Sequence, residues 1–230
     1  MKHGNRLLIR HFGQCDYAAT QRAMAGFTDE RDTSSQDEIW CLEHPPVYTL
    51  GLAGKAKHVL CAGAIPVIQS DRGGQVTYHG PGQLVGYLLI DLKRQGLSIK
   101  GLVNQIEQSI IDMLDELGLE AGRKPGAPGV YIQNRKIAAL GLRVRRGCSY
   151  HGLALNVDMD TTPYEGINPC GYPGLEVTQL ADYGIKMTRR QAAECLLPCL
   201  IRNLGYERYN AQVETVPEDL FAPSHESVYT

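Results

Sequence analysis

No apolar run in this chain approaches the roughly 20 residues that cross a bilayer, so a membrane-spanning helix is not expected. Neither charge sign is in excess. The 23 Lys and Arg against 25 Asp and Glu leave a net charge of −2, which argues against non-specific nucleic-acid binding. The opening Met1-Lys2-His3-Gly4-Asn5-Arg6 runs into a short strand-like segment without a secretory cleavage pattern, and a cytoplasmic protein is the expectation. No Cys-x-x-Cys pair occurs among Cys15, Cys41, Cys61, Cys148, Cys170, Cys195 and Cys199. Their odd number and irregular spacing read as free thiols in a reducing compartment. Cys195 and Cys199 lie four apart on an expected helix, but a metal site there would need two more ligands and none is nearby, so no metal is expected. There is also no internal repeat and no low-complexity linker.

The chain has 230 residues, 43% hydrophobic and 21% charged. That is the make-up of one large domain around one core. Leu7-Leu8-Ile9, Glu38 to Leu42, Val47 to Leu50 and Pro66 to Gln69 read as strands, with His44-Pro45-Pro46 interrupting the second and Val47 resuming it. Tyr17 to Glu30 reads as a helix. Ser98 is placed to cap a longer one to Leu117, with apolar residues at helical spacing from Leu102 to Leu117 and Gly118 beyond. Val130 to Ile132 and Ile137 to Val144, joined by a turn at Asn134-Arg135, read as a hairpin, and a turn at Arg146-Gly147 leads to a strand from Leu153 to Val157. Thr188 and Gln191 fit a capping box opening a helix to Leu204 that Pro198 should kink. Hairpin-connected strands with two long helices point to an α+β fold. The expected division is a catalytic domain over residues 1–212 and, over 213–230, a polar tail with the composition of a disordered segment.

The densest chemical signal is Arg72-Gly73-Gly74-Gln75-Val76-Thr77-Tyr78-His79-Gly80-Pro81-Gly82-Gln83, set just ahead of the apolar run Leu84 to Leu92. Glycines beside a core strand suggest a backbone that a ligand or another loop approaches closely. Far downstream, Cys170 stands between Pro169 and Gly171 in an irregular stretch, and loop placement keeps a thiol accessible. A free thiol is only a few per cent ionised near pH 7. One cation at about 4 Å in an effective dielectric near 20 contributes roughly 4 kcal/mol, enough to lower its pKa by about two units. Lys136, at the head of an apolar strand, is such a cation or else a solvated charge at a turn. Arg72 either anchors a carboxylate or ties its loop down. His79 is a hydrogen-bond donor, a base or a brace. His151 reads as a satisfied structural histidine. Arg143, Arg145 and Arg146, with Arg123 and Lys124, form either a basic face for an acidic carrier protein or a merely solvated one.

Four segments together resemble the lipoyl(octanoyl) transferase family: Arg72 to Gln83, Lys136-Ile137-Ala138-Ala139-Leu140-Gly141, His151-Gly152-Leu153-Ala154-Leu155-Asn156-Val157 and Asn168-Pro169-Cys170-Gly171. They follow the family's order across the middle of the chain. The resemblance implies the mixed-sheet catalytic-domain fold of biotin and lipoate protein ligases. It implies Cys170 as nucleophile and Lys136 as acid/base. It implies an acyl slot lined by Arg72, Gly73, Gly74, Gln75, Val76, Thr77, Tyr78 and His79, by Ala139, Leu140 and Gly141, and by Gly152, Leu153 and Ala154. His79 then binds or braces. The implied donor is octanoyl-acyl carrier protein, which brings its own phosphopantetheine, so no cofactor is expected. The implied acceptors are lipoyl domains of 2-oxoacid dehydrogenase complexes and the glycine cleavage H protein. A monomer is the default.

The nearest rival is an ATP-dependent lipoate or biotin ligase. The candidate Cys170 and the lack of an arginine-rich adenylate-binding loop stand against it. A cysteine thioesterase or amidase would use the same pair of residues and pass the acyl group to water. A non-catalytic carrier-binding protein would leave Cys170 unmodified.

Overall fold

The computed structural model describes residues 6–213. Along them run β1 (Arg6–Gln14), α1 (Tyr17–Glu30), β2 (Asp37–Glu43), β3 (Val47–Leu50), β4 (Val67–Gln69), β5 (Val76–His79) and β6 (Gln83–Leu89). There follow α2 (Leu92–Gln95), α3 (Ile99–Glu116), β7 (Gly122–Lys124), β8 (Ala127–Ile132), β9 (Arg135–Arg145), β10 (Cys148–Asn156), α4 (Arg189–Leu204) and β11 (Arg208–Val213). The fold is α+β, as the hairpin-connected pattern predicts.

The strands of the described residues form two sheets. The larger has the order β11-β1-β2-β6-β10-β9-β8-β7, and the smaller has the order β4-β3-β5. β1 pairs in parallel with both β11 and β2, whereas β2 to β7 along the sheet are antiparallel. The Pro45-Pro46 interruption is therefore a boundary between sheets. Neither proline can donate to a ladder, and the chain leaves the large sheet at Glu43 and enters the small one at Val47. Val47 does not resume β2.

One face of the large sheet carries α3 and α4. Ser98 caps α3 by accepting from the Gly101 amide, and Leu102, Ile106, Ile110, Met113 and Leu114 enter the core against Ile9, Ile39, Leu88 and Leu155. Each such buried side chain stabilises the fold by about 1.5–3 kcal/mol. The capping box of Thr188 and Gln191 is present, and α4 continues through Pro198 as a single helix to Leu204. The opposite face is covered around α1, where Met24 and Phe27 join Phe12, Trp40, Tyr87 and Tyr150. The β8–β9 turn falls one residue earlier than expected, on Gln133 and Asn134, with φ of 47° and 71°, the left-handed pair of a type I′ hairpin.

Residues 208–213 form a strand that is not among those expected, although Arg208, Asn210 and Gln212 alternate with Tyr209, Ala211 and Val213; it pairs in parallel with β1. Apart from Val213, the tail expected from residue 213 onward lies outside the described residues.

Candidate active site

The site is built where β9, the segment 168–178 and the small sheet meet. Lys136 enters it from the second residue of β9 and is pinned from both sides. Its amide donates to Glu176 O at 2.9 Å and its carbonyl accepts from the Thr178 amide at 2.9 Å, while on its other flank it is registered against Tyr131 of β8 beside a bulge. The side chain is 4% exposed. Its Nζ donates to Pro128 O at 3.0 Å and to Cys170 Sγ at 3.0 Å, and it stands 5.2 Å from the centre of the Tyr131 ring. Burial disfavours the ammonium, yet the Cys170 sulfur and Tyr131 outweigh it and hold the Lys136 pKa above its ordinary value. Lys136 is therefore the ammonium at neutral pH, and it faces a sulfur.

Cys170 lies in a single turn of 3-10 helix, Pro169–Gly171, with φ 57° and ψ 16°. Left-handed backbone is unfavourable for a residue with a Cβ, and such positions concentrate at functional sites. The conformation is held by Gly171 N donating to Asn168 O at 2.9 Å and Tyr172 N to Pro169 O at 3.1 Å. The thiol is half-buried, unlike Cys15, Cys41, Cys148 and Cys199, which are buried. Desolvation pushes the Cys15 and Cys41 thiols up to about 12.

Lys136 and Cys170 sit on a cavity of about 310 Å³, at the small end of the range for small-molecule sites, roughly 300–1,000 Å³. The walls include Arg72, Gly73, Gly74, Gln75, Val76, Thr77, His79, Ala139, Leu140, Gly141, Gly152, Leu153 and Ala154. Of the expected lining residues only Tyr78 is elsewhere. Val76 to His79 is a strand, and Tyr78 packs into a small core with Tyr48 and Tyr164. Gly141 and Gly152 make room for protein rather than for a ligand. A Cβ on Gly141 would meet Gly73 O at 2.9 Å, and one on Gly152 would meet Gly86 O at 2.1 Å.

Arg72 ties its loop down. It is 8% exposed, and Nε, Nη1 and Nη2 donate to Thr49 Oγ1, to Gly73 O and to Thr49 O and Gln75 O, at 2.6–3.1 Å. His79 donates from Nδ1 to Gln83 Oε1 at 2.8 Å and stacks on Tyr17 with ring centres 5.7 Å apart. It is a buried wall residue paired with Gln83. Burial, with His44 and Arg72 nearby, drives its pKa well below the usual value.

Tyr17, Tyr87, Val103, Leu142 and His151 also line the cavity, none of them singled out as a pocket residue by the sequence. Only the glycine beside His151 hints at it. His151 is 1% exposed, and its Nε2 donates to Asp71 Oδ1 at 2.8 Å. Its Nδ1 is buried without a partner, and its φ is 57°. Satisfied on one nitrogen only, it is less settled than a purely structural histidine.

Of the residues read as either a basic docking face or a merely solvated one, four are engaged within the fold. Arg145 pairs with Asp29 at 2.9 Å and Arg123 with Glu107 at 2.9 Å. Arg146 donates to Asp29 O, and Lys124 to Asn134 O at 2.8 Å. Among the described residues no cluster of His, Cys, Asp and Glu could hold a metal ion, and no helix is long and apolar enough to cross a membrane.

Residues 16–201 match the family model for the lipoyl protein ligase A/B catalytic domain. An octanoyltransferase of Shewanella amazonensis is 58% identical over 201 residues, 87% of this chain and 93% of that protein. Among solved structures, a bi-partite lipoate protein ligase from Thermoplasma acidophilum superposes with a TM-score of 0.72 at 15% identity, covering 94% of this chain and 88% of that one. The biotin protein ligase of Aquifex aeolicus does so with a TM-score of 0.54 at 16% identity, over 86% and 68%. Those two show the fold alone. With the family model spanning most of its length and a relative of such identity, the chain belongs to the lipoyl protein ligase A/B catalytic-domain family and, within it, to the octanoyltransferases.

Proposed function

We propose that this protein transfers an octanoyl group from octanoyl-acyl carrier protein to a lysine of a lipoyl domain, through a thioester on Cys170. The observation that carries the proposal is the 3.0 Å contact of Lys136 Nζ with Cys170 Sγ at the cavity. Octanoyl transfer itself is supported by the relative at 58% identity.

In the first step the Cys170 thiolate, stabilised by the Lys136 ammonium, attacks the thioester carbonyl. The C–S bond to the carrier breaks, and the departing thiolate takes a proton from Lys136. The octanoyl group is left on Cys170 and Lys136 is neutral. In the second step a neutral lysine amine of the acceptor attacks that thioester. Lys136 takes the proton the nitrogen sheds. An amide forms, Cys170 leaves as thiolate, and the ion pair is restored. Backbone N–H groups of the glycine-rich stretch or near Cys170 serve the oxyanion, although Gly171 N is already committed to Asn168 O.

Exchange of thioester for thioester is near neutral and thioester to amide runs downhill, so the cycle needs neither ATP nor a resident cofactor. Lipoyl domains of 2-oxoacid dehydrogenases and the glycine cleavage H protein are the proposed acceptors, and the seven unpaired cysteines fit a reducing cytoplasm. The test is transfer to a purified lipoyl domain with and without ATP. Product from octanoyl-acyl carrier protein alone, and none from free octanoate, is the expected result. A requirement for ATP would favour a ligase, and octanoate released with no acceptor modified would favour a hydrolase.

A further inference from the structure

We propose that the segment Leu52–Leu60, beside the Cys170 turn, is the docking surface for the acyl donor: an acidic carrier domain that presents its acyl group on a phosphopantetheine arm. The inference rests on the transfer reading above and names the place where the donor lands.

The segment is fastened to the catalytic turn. Asn168 N donates to His58 O at 2.8 Å, Leu60 N to Gly166 O at 2.8 Å and Lys55 N to Gln75 Oε1 at 3.2 Å. Gln75 in turn lies against Gly171, 3.0 Å from where a Cβ would stand. Leu52 and Leu60 are 56% and 59% exposed, and Tyr172, on the cavity wall, is 47% exposed. Exposed large apolar side chains grouped beside a reactive site mark an interaction surface.

Charge selects the partner. Between Glu43 and Asp71 there is no carboxylate, whereas Lys55 and Lys57 are both present. Both lysines are exposed, and neither is ion-paired among the described residues. Glu165, on the adjoining turn, is paired with neither of them. Two unneutralised ammonium groups attract an acidic surface and the phosphodiester of a pantetheine arm. They repel the lysine amine that an acceptor domain must bring, which argues for the donor as the occupant. Apolar Leu52 and Leu60, which flank the two lysines in the chain, would supply the desolvated part of the contact.

The experiment uses the full chain carrying Lys55→Glu with Lys57→Glu, and separately Leu60→Ala. Binding of holo-acyl carrier protein, which has no acyl group to transfer, is measured by titration. Octanoylation of Cys170 by the N-acetylcysteamine thioester of octanoate, which has no protein to dock, is measured in parallel. The expected result is carrier binding at least tenfold weaker in the charge-reversed protein, with a shallower salt dependence, a smaller loss in Leu60→Ala, and octanoylation by the small thioester within twofold of the unaltered protein. Equal carrier binding by altered and unaltered protein overturns the proposal, as does a loss confined to discharge onto the lipoyl domain. Failure of the small thioester to acylate even the unaltered protein contradicts the transfer reading alone, because carrier binding is read independently of it.

Discussion

Lys136 Nζ and Cys170 Sγ meet at 3.0 Å although 34 positions separate them. The contact is fixed by backbone on both sides. β9 carries Lys136, the 176–178 segment runs beside it, and the Pro169–Gly171 turn points the sulfur back. Lys136→Gln keeps a side chain of similar reach but removes the cation. Transfer should fall about 10²–10⁴-fold, the usual loss for a positioned acid/base. Alkylation of Cys170 by iodoacetamide at pH 7 should slow toward the rate of an ordinary thiol. Alkylation at the unaltered rate would mean that Lys136 does not activate the sulfur.

Gly129 guards the same contact. Its φ is 136°, and a Cβ there would stand 2.7 Å from Ala138 O, 3.0 Å from Lys136 Cε and 3.2 Å from Lys136 Nζ. Gly129→Ala must therefore distort β8 or displace the lysine. Backbone strain of this kind costs about 1–3 kcal/mol, and the expected signature is a drop in kcat of tenfold or more with KM for the donor little changed. A variant with normal kcat would show that Lys136 tolerates movement.

Arg72 predicts a loss of stability before a loss of chemistry. Arg72→Lys cannot reproduce a fork that reaches Thr49 O, Thr49 Oγ1, Gly73 O and Gln75 O. Leaving such partners short should cost about 1.5–3 kcal/mol, a fall in Tm of several degrees at roughly 2–4 °C per kcal/mol for a chain of this size. An unchanged Tm would contradict the bracing role.

Much of this was legible in the residues. The Ser98 cap with its apolar spacing, and the Thr188–Gln191 box, each specify a helix locally. The four family segments name both members of the Lys136–Cys170 pair. What escaped depends on strand order. Tyr17, Tyr87 and His151 reach one cavity from α1, β6 and β10, and no local pattern announces that meeting. The two roles left open for Arg72 separate only when Thr49, on β3, is seen to accept from its guanidinium. The split into two sheets at Pro45-Pro46 is a matter of where the next strand finds a partner. β11 carries only a short alternation of Tyr209, Ala211 and Val213 with polar residues, and its pairing with β1 at the sheet edge is set by where the chain returns after α4.

Acid should unfold the protein through its buried histidines. Burial lowers the His44 pKa to about 4 and drives His79 well below the ordinary value of 6.5. Both are neutral in the fold, donating from Nδ1 to Cys15 O and to Gln83 Oε1 respectively. The unfolded chain binds protons on them below about pH 6.5 while the folded chain does not, so stability is full above that pH and falls as pH falls. For His44 the window runs from about 6.5 down to about 4, at about 1.4 kcal/mol per pH unit. Urea midpoints across that range should fall with pH, and less steeply in His44→Gln. Midpoints independent of pH would contradict neutral burial.

The most direct test is intact mass spectrometry of the protein mixed with octanoyl-acyl carrier protein in the absence of ATP, alongside Cys170→Ala. The account predicts a single octanoyl adduct on the unaltered protein, none on the variant, and discharge of the adduct when a lipoyl domain is added. A chain that forms octanoylated lipoyl domain yet never carries the adduct, even with the acceptor withheld, would contradict the Cys170 thioester.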